Sequence, residues 1–443
     1  MKAIKKIKEY LLLNEIGRGS FGKVYEALSE KTNKLYAIKA LASENFKNPR
    51  VMDQLKKELK ILFSFNHQNI IKIIGVEKTI NNVYLILEYC NGGTLLDYIT
   101  YYKKTYNKNL PEEIIQKMMK QIIEGLKYMH SNNVIHRDIK LENILINFED
   151  LEIEFKFDQK NSCENENKEN GDEINTNKNT NYSQNLNDFI NSRNDSHKMH
   201  KTYANKNLLE DKFSIKIADL GYARILNQSE ASNTICGTPL FMAPDIVNLI
   251  QEENENNNYN SSIDIWSLGI VFYELLIGTP PFTATYNNEI FKKILAGVYM
   301  IHKNLKLSVE ALSFLTGLME FYPEKRCKIN ELDSLPFIKK NVKDFIYIFT
   351  DNLDNKDPNS PFITIDSKET SILLLKIIEY FNITLPNNCL EKKELYQIIE
   401  EKVVSKNPEE KENNKKGKSL PNIKEDLKIE EMITINVRII LKI

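Results

Sequence analysis

The hydrophobic pattern of the chain changes its period near residues 90–93. Before this point, apolar residues fall in short runs that turn residues separate, which is typical of β-strands: "YLLLNEIG", "KVYEALSE", "LYAIKAL" and "NVYLILEY". After it, apolar residues recur at helical spacing. This order predicts an α+β fold, in which a small β-rich unit at about 8–90 precedes a larger α-rich unit at about 91–338.

Helical periodicity is clearest in "PEEIIQKMMKQIIEGLKYMHSN", where Pro111 marks the first turn. Its predicted apolar face consists of Ile114, Ile115, Met118, Ile122 and Leu126. Further helices are predicted around residues 263–277, 287–296, 308–320 and 329–334. One helix, in "RVMDQLKKELKILFSF", is predicted to interrupt the strands of the first unit.

Composition narrows the classes of function. The 443 residues carry a formal charge of −1, from 60 Lys and Arg against 61 Asp and Glu, so no nucleic-acid partner is predicted. The N-terminal "MKAIKKIKEY" lacks the apolar region of a secretory signal. The most apolar stretch, "WSLGIVFYELLIG", is too short to cross a bilayer and is predicted to be a buried core helix. We therefore expect a cytoplasmic protein without a transmembrane segment.

The cysteines point to a reducing compartment. They are odd in number, scattered and without any CxxC pair, which predicts unpaired thiols rather than a zinc site or a disulfide framework. They are Cys90, Cys163, Cys236, Cys327 and Cys389.

A long polar segment at about 158–208 separates two strand-like runs, "ILINFED" and "FSIKIADLG". Residues 161–207 contain 14 Asn in 47 positions. Such a tract cannot bury enough apolar surface to offset its ordering entropy, so it is predicted to be a disordered insertion. A second polar run, "EENENNNYN", is predicted to be a loop expansion.

Residues 339–443 form an extension to which the sequence assigns no role. It is predicted to be mainly helical, with a site for a regulatory partner. Its segments are helix candidates at 371–381 and 391–403, a charged linker at about 405–422 and a strand-like run at 433–443.

Three glycines, Gly17, Gly19 and Gly22, lie between two strand-like runs in "IGRGSFGKV". A dinucleotide fingerprint would open a helix, whereas here a strand follows. A glycine-rich hairpin lets backbone N–H groups approach phosphates closely. A merely flexible hairpin is the alternative for this motif taken alone.

Lys39, in "AIK" on the next strand, has apolar neighbours and needs an anionic partner if it is buried. Glu58 on the following helix is the predicted partner, and Asp53 and Glu44 are its rivals. A Lys39–Glu58 pair would direct the ammonium group toward nucleotide phosphates. An edge-strand lysine that reaches solvent is the alternative.

The segment "HRDIKLEN", residues 136–143, contains several candidate catalytic and metal-binding residues within eight positions. Asp138 would accept the proton of a substrate hydroxyl, and Lys140 would neutralise charge on a transferred phosphoryl group. Asn143 would bind Mg²⁺ through its side-chain oxygen. His136 is predicted to be a packed, hydrogen-bonded scaffold residue rather than a base.

Asp219, at the end of the strand "IKIAD", is the predicted second ligand of Mg²⁺. The stretch that follows ends in "CGTPLFMAPD" and contains several hydroxyls. Thr234 is the phosphorylation candidate, whose phosphate could pair with Arg137. Thr238 is expected to contact Asp138 and Lys140.

With these motifs in this order, and with "DIWSLG" after them, the chain resembles the eukaryotic protein kinase family over about residues 10–338. The resemblance implies a two-lobed fold with Mg²⁺ and ATP in the cleft between the lobes, and transfer of the γ-phosphoryl group to a Ser or Thr hydroxyl of a protein. The position of Lys140, two residues after Asp138, is the one expected of a serine/threonine kinase and disfavours a tyrosine kinase.

The resemblance also implies roles for further residues. Leu87 would be the gatekeeper of a hinge that includes Glu88 and Cys90, and Arg326 would pair with Asp245 at the end of the activation segment. The other residues implied to bind ATP are Ile16, Gly17, Arg18, Gly19, Ser20, Phe21, Gly22, Lys23, Val24, Ala37 and Leu145, of which Val24, Ala37 and Leu145 would sandwich the adenine.

Within this family the chain is most similar to the ULK group, which initiates autophagy, through "VYLILEYCNGGTLLDYI", "IKIADLGYAR" and "TICGTPLFMAP". Three residues depart from the usual pattern. Leu220 replaces the Phe of the DFG motif, Asp245 replaces the Glu of the APE motif, and Thr94 stands where ULK-like sequences tend to have Asp. The shorter Asp245 must still reach Arg326.

Two functions remain to be distinguished. One is an active serine/threonine kinase, and the other is a pseudokinase-type scaffold that binds nucleotide or partners without turnover. The presence of Lys39, Glu58, Asp138, Asn143 and Asp219 favours the active enzyme.

Overall fold

The computed structural model describes residues 5–19, 22–42, 59–60, 63–79, 81–149, 208, 212–219, 224–225, 238–252, 260–303, 305–349 and 362–368. The chain divides into two compact units. The first comprises Met1–Ala296 and Gly317–Asp344, and the second comprises Gly297–Thr316 and Phe345–Ile443. The polar insertion, apart from Leu208, and the segments predicted beyond residue 370 lie outside the described residues.

The N-terminal part of the first unit is a six-stranded antiparallel sheet with the strand order β1-β2-β3-β4-β6-β5. Its strands are β1 (Lys6–Ile7), β2 (Tyr10–Gly19), β3 (Gly22–Ser29), β4 (Leu35–Ala42), β5 (Ile73–Lys78) and β6 (Asn82–Glu88). One face carries the lobe's core, in which Ala27, Ile38 and Tyr84 are almost completely buried. The four strand-like runs in the sequence are therefore strands, and β5 adds an edge strand that the sequence analysis did not single out.

The remainder of the first unit is mainly helical. Its helices are α1 (Leu95–Tyr106), α2 (Glu112–Ser131), α3 (Pro244–Glu252), α4 (Ser262–Ile277), α5 (Asn287–Ala296) and α7 (Pro336–Lys339). Helix α6 (Val309–Leu318) belongs to the second unit except for its last two residues. The predicted apolar face of α2 is buried, with exposed fractions of 2% or less. Helix α4 is buried along nearly its whole length, as predicted for the most apolar stretch.

Three-residue and six-residue 3₁₀ turns connect these elements at Leu141–Asn143, Pro239–Phe241, Ile329–Ser334 and Val342–Asp344. The α+β fold, with a β-rich lobe followed by an α-rich lobe, is the one predicted from the sequence. In the part of the chain that the structure describes, no helix combines the length and the apolar character needed to cross a bilayer.

Two short antiparallel sheets organise the region between the lobes. Strand β7 (Val134–Ile135) pairs with β10 (Arg224–Ile225), and β8 (Ile144–Phe148) pairs with β9 (Phe213–Ile217). The register joins Ile144 to Ile217, so the start of β8 lies beside the end of β9. Residues just before β8 and just after β9 therefore meet, although they are far apart in sequence.

The second unit contains two further two-stranded sheets. Strand β11 (Val298–His302) pairs with β14 (Phe362–Asp366), and β12 (Lys306–Ser308) pairs with β13 (Tyr347–Phe349). These strands were not predicted, because runs of three to five residues carry too little periodicity to identify pairing across about 40 to 70 residues.

Candidate active site

Asp138 is the centre of a closed hydrogen-bond network. Its Oδ1 accepts hydrogen bonds from the backbone N–H of Thr238 at 3.1 Å and from the Thr238 hydroxyl at 2.9 Å. Its Oδ2 accepts hydrogen bonds from Lys140 Nζ and Asn143 Nδ2, both at 2.8 Å. Lys140 also donates to Thr238 Oγ1 at 2.7 Å. The predicted contact of Thr238 with both residues is therefore present.

This network sets the charge of Asp138, whose exposed fraction is 3%. Burial alone would raise the pKa of the carboxyl group. The hydrogen bond and the positive charge of Lys140, together with the hydrogen bond from Thr238, outweigh burial and hold the pKa of Asp138 below its ordinary value. The carboxylate is thus ionised at neutral pH and available as a proton acceptor.

The backbone on the N-terminal side of Asp138 is anchored to helix α4 by Asp264. The backbone N–H groups of His136 and Arg137 each donate to the Asp264 carboxylate at 2.9 Å. His130 contacts the same carboxylate through Nε2 at 2.8 Å. Burial opposes ionisation of Asp264, but the hydrogen bond and charge of His130 and the contribution of His136 lower its pKa below the ordinary value.

His136 connects the loop to strand β9. Its Nδ1 accepts the backbone N–H of Asp138 at 3.2 Å, so the ring N–H is assigned to Nε2, which lies 2.9 Å from the carbonyl oxygen of Ala218. The ring is completely buried. The prediction that His136 is a packed scaffold residue is confirmed.

Asn143 and Asp219 are brought together by the β8–β9 register. The backbone N–H of Ala218 donates to the carbonyl of Asn143 at 2.8 Å. Asn143 Nδ2 donates both to the Asp138 carboxylate and to the Asp138 carbonyl oxygen, at 2.8 Å each. Both amide hydrogens are therefore used, and Oδ1 is the atom of Asn143 that remains for a cation.

Lys39 is buried and forms an ion pair with Asp219, with Nζ and Oδ1 2.5 Å apart. The ammonium group of Lys39, on strand β4, thus lies in the same cluster as the predicted metal ligands. Asp219 adopts a positive φ of 55°, an uncommon backbone conformation for a residue other than glycine. Glu58, the predicted partner of Lys39, lies outside the described residues.

The glycine-rich segment forms the hairpin of β2 and β3, with Gly17 opposite Val24 and Gly19 opposite Gly22. A Cβ atom on Gly22 would lie 1.8 Å from the carbonyl oxygen of Ala40 on β4. The close packing of two strand backbones therefore requires glycine at this position. Ser20 and Phe21 lie outside the described residues.

The charged residues of this hairpin pair with each other. Glu15 accepts hydrogen bonds from Lys23 Nζ at 2.9 Å and from Arg18 Nε at 3.0 Å. These two cations hold the pKa of Glu15 below its ordinary value. Ile16 is 40% exposed beside them.

The proposed adenine contacts lie on one face of the sheet and on β8. Ala37 is opposite Leu87, and Val24 is opposite Lys39, in antiparallel registers that direct paired side chains to the same face. Leu145 on β8 forms an isolated bridge with Thr94, close to the segment that joins the lobes. Val24, Ala37, Leu87 and Leu145 are partly exposed.

Asp245 reaches Arg326 despite its short side chain, with Oδ1 and Nη2 3.1 Å apart. Arg326 is 3% exposed and also donates to the backbone carbonyls of Ser262 and Glu320. The substitution of Glu by Asp in this motif therefore preserves the ion pair. Leu220 and Thr234 lie outside the described residues.

Thr94, the third departure from the family pattern, begins helix α1. Its hydroxyl accepts the backbone N–H of Asp97 at 3.1 Å, and the Asp97 carboxylate accepts the backbone N–H of Thr94 at 3.2 Å. This reciprocal arrangement is a capping box. Thr94 consequently has a structural role at this position.

A groove of about 390 Å³ lies between α1, the end of α4 and the 3₁₀ turn after Lys140. Glu274 lines it and is 7% exposed. Burial, and then the negative charge of Glu142, raise the pKa of Glu274 to about 8. The sequence alone gives no sign of this shift, because both the burial of Glu274 and the approach of Glu142 depend on the fold.

Comparison with known proteins assigns the chain to a family. The family model described as "Protein kinase domain" matches residues 10–157 and 158–338. The chain therefore belongs to the protein kinase domain family, as the motifs and the two-lobed fold had indicated.

Several curated relatives carry kinase names. The chain is 29% identical over 359 residues to the probable serine/threonine-protein kinase fhkA of Dictyostelium discoideum, a match that covers 75% of this chain and 50% of fhkA. It is 27% identical over 379 residues to the serine/threonine-protein kinase ATG1 of Kluyveromyces marxianus, with 80% and 39% covered. It is 28% identical over 326 residues to the serine/threonine protein kinase OSK3 of Oryza sativa, with 74% and 49% covered. The matches thus span half or less of the length of these relatives.

Proposed function

We propose that this protein is a serine/threonine protein kinase that transfers the γ-phosphoryl group of Mg-ATP to a protein hydroxyl. The observation that carries the proposal is the environment of Asp138, a buried carboxylate kept ionised by Lys140 and Thr238. An ionised acceptor in a polar cluster is what proton removal from an alcohol requires. The kinase names of the relatives support the same reaction class.

In this proposal Asp138 orients the substrate hydroxyl and accepts its proton as the oxygen attacks the γ-phosphorus, whose bond to the β-phosphate oxygen breaks to release ADP. Lys140, which contacts both Asp138 and Thr238, neutralises negative charge on the transferred group. Thr238 holds Oδ1 of Asp138 in place, so the attacking hydroxyl meets a carboxylate of fixed orientation.

The donor set of Asn143 and Asp219 fits Mg²⁺, a hard cation that proteins hold with one or two carboxylate or amide oxygens and with substrate phosphates. The proposed ligands are Oδ1 of Asn143 and the carboxylate of Asp219. When bound, the cation would neutralise charge on the phosphates of ATP. Lys39, whose ammonium group lies beside Asp219, would contact the same phosphates.

The nucleotide itself would lie between the glycine-rich hairpin and β8. The hairpin offers backbone N–H groups, and Val24, Ala37, Leu87 and Leu145 offer apolar surface to the adenine. We assign residues 8–338 to this kinase domain and residues 339–443 to an extension that binds a regulatory partner. Phosphorylation of Thr234 and its pairing with Arg137 belong to the same proposal.

The substitution Asp138→Asn tests the assignment in the full-length protein. We expect it to lower kcat by about 10²- to 10⁴-fold, because the amide cannot accept the proton. The dissociation constant of Mg-ATP should change little. The measurements are transfer of labelled γ-phosphate to a generic protein substrate such as casein, and calorimetric titration with Mg-ATP.

Asp344→Asn is the matched control, since Asp344 is exposed on the 3₁₀ turn Val342–Asp344 and has no assigned role in the site. It should leave both quantities unchanged. Equal phosphate incorporation by the wild type and the Asp138→Asn variant would refute the role of Asp138. Binding of Mg-ATP without any transfer by the wild type would instead favour the pseudokinase-type scaffold.

We further propose a ULK-like role in autophagy initiation and a cytoplasmic location. The similarity to two ATG1 kinases of Kluyveromyces species, each over 80% of this chain, supports this finer assignment. Expression of the chain in Kluyveromyces lactis cells that lack ATG1 tests it. Restored autophagy with the wild type, but not with Asp138→Asn, is the expected result, and failure to restore it would leave only the general kinase assignment.

A further inference from the structure

Lys216 occupies a position between the two lobes that the roles assigned above do not explain. It lies on β9, two residues from Ala218, and its Nζ is 2.9 Å from Oε2 of Glu88 at the end of β6. The side chains are 14% and 27% exposed. A largely buried ion pair thereby joins β9 of the α-rich lobe to β6 of the β-rich sheet.

The second carboxylate oxygen of Glu88 is also engaged. Oε1 accepts the backbone N–H of Lys72 at 2.7 Å, and the backbone N–H of Glu88 donates to the carbonyl of Lys72 at 3.0 Å. The preceding residue, Ile71, donates its N–H to the carbonyl of Ile217 at 2.9 Å. Since Ile217 follows Lys216, these bonds form a closed ring that joins β6, the segment before β5, and β9.

This ring adjoins two of the proposed adenine contacts, Leu145 and Leu87. Lys216 is opposite Leu145 in the β8–β9 register, so the two side chains share one face of that sheet. Glu88 follows Leu87 directly. Burial, and then the negative charge of Glu88, raise the pKa of the nearby Cys90 thiol to about 12, while the positive charge of Lys216 opposes this shift.

We infer that Lys216 is a positioning residue for the nucleotide, and that its ion pair with Glu88 holds the hinge segment 87–90 against the strand that leads to Asp219. The inference rests on the proposed function, because the hinge contacts to ATP are part of that proposal. Lys216 acts through Glu88 on the backbone that would bind the base, while Asp219 and Lys39 act at the phosphates.

The expected consequence is a change in nucleotide binding rather than in chemistry. Without the ion pair, Glu88 and the backbone after it gain freedom that ATP must remove on binding. This cost falls equally on the ground state and the transition state, so it raises KM without lowering kcat.

The experiment compares Lys216→Met, which keeps the length of the apolar stem, with Lys216→Arg, which keeps the charge. We expect Lys216→Met to raise both KM and the calorimetric dissociation constant for Mg-ATP about three- to tenfold, the range of a partly buried ion pair, with kcat within about twofold of the wild type. Lys216→Arg should restore near wild-type binding. Lys212→Met, at an exposed lysine just before β9, is the control.

Coupling between the partners provides a sharper test. Glu88→Gln should weaken Mg-ATP binding about as much as Lys216→Met, and the double variant should be no weaker than either single variant, because one interaction is lost in all three. Unchanged binding in Lys216→Met, an additive double variant, or a fall in kcat at constant KM would each overturn the inference.

The calorimetric titration separates this inference from the proposed function. If the wild type transfers no phosphate but binds Mg-ATP, and Lys216→Met weakens that binding, the positioning role stands while the catalytic proposal fails. If the wild type transfers phosphate and Lys216→Met binds Mg-ATP as tightly as the wild type does, the positioning role fails alone.

Discussion

The loop that carries Asp138 and the glycine-rich hairpin contribute to one candidate site, but their carboxylates lie in contrasting surroundings. Asp138 and Asp264 are 3% and 0% exposed and bind partners on several elements. Glu15 of the hairpin pairs with Arg18 and Lys23 on its own two strands, where the side chains are 34% to 67% exposed. Hydrogen bonds shielded from water are stronger and more directional than exposed ion pairs.

The comparison indicates that the two halves of the site keep their geometry by different means. The loop depends on buried charges that must stay paired, because an unpaired charge in the interior is costly. The hairpin depends on backbone packing, in which Gly22 lies against the carbonyl oxygen of Ala40. Each half can therefore be tested by its own kind of substitution: removal of a buried charge in the loop, and addition of a Cβ atom in the hairpin.

The largest effect should come from Asp264→Ala, which leaves the N–H groups of His136 and Arg137 and the ring of His130 without their acceptor. We expect a loss of about 3–5 kcal/mol in the free energy of unfolding, typical of a broken buried pair. Urea denaturation measures it. Glu15→Gln, on the exposed hairpin, is the control and should leave the denaturation midpoint unchanged. Similar midpoints for the two variants would contradict the contrast between loop and hairpin.

The next effect concerns Glu274, beside the same loop. With a pKa of about 8, against an ordinary value of 4.5, the folded protein keeps a proton that the unfolded chain has released. The contribution of Glu274 to the free energy of unfolding should therefore be greatest below pH 4.5 and fall as the pH rises to about 8. Between pH 5.5 and 8, the free energy of unfolding of the wild type should fall by about 3 kcal/mol relative to that of Glu274→Gln, which has no titrating group at position 274.

Urea denaturation at these two pH values measures the difference. Glu142→Gln should reduce the loss without abolishing it, since the charge of Glu142 is the smaller cause after burial. Parallel pH profiles for the wild type and Glu274→Gln would show that the Glu274 carboxyl titrates normally and would contradict the prediction.

The smallest effect should come from the hairpin, where Gly22→Ala places a Cβ against the β4 backbone. We expect a loss of about 1–3 kcal/mol, the range for overpacking. Gly17→Ala is the matched control, because a Cβ there would meet Val24 at an ordinary 3.8 Å. Thermal unfolding of both variants measures the difference. Equal melting temperatures would mean that the hairpin can shift away from β4.

Part of this molecule was predictable because its signals are local. The β-type runs became β2, β3, β4 and β6, and the helical face of Ile114 to Leu126 is buried. The contact of Thr238 with Asp138 and Lys140 was also predicted, from the motifs on both sides. In each case the residue types and their spacing, within one segment or one recurring motif, are enough to predict the strand, the buried helix face or the contact.

Other features had no local signal. Asp264 lies in "DIWSLG", which was recognised as a motif, but its role as the acceptor for residues 136 and 137 depends on helix α4 packing against the loop. The raised pKa of Glu274 depends on burial and on Glu142, 132 residues earlier in the chain. Strands β11 to β14 pair segments that neither period nor composition connects.

The sequence by itself determined the kinds of elements, their order and the polar groups available for phosphoryl transfer, since hydrophobic periodicity and glycine placement act over a few residues. Tertiary structure alone decided which groups meet and which of them are ionised. The pairing of Lys39 with Asp219 and the bond of Lys216 to Glu88 arise from contacts across 180 and 128 residues. Burial and electrostatic pairing depend on distance in space, and only the folded chain fixes that distance.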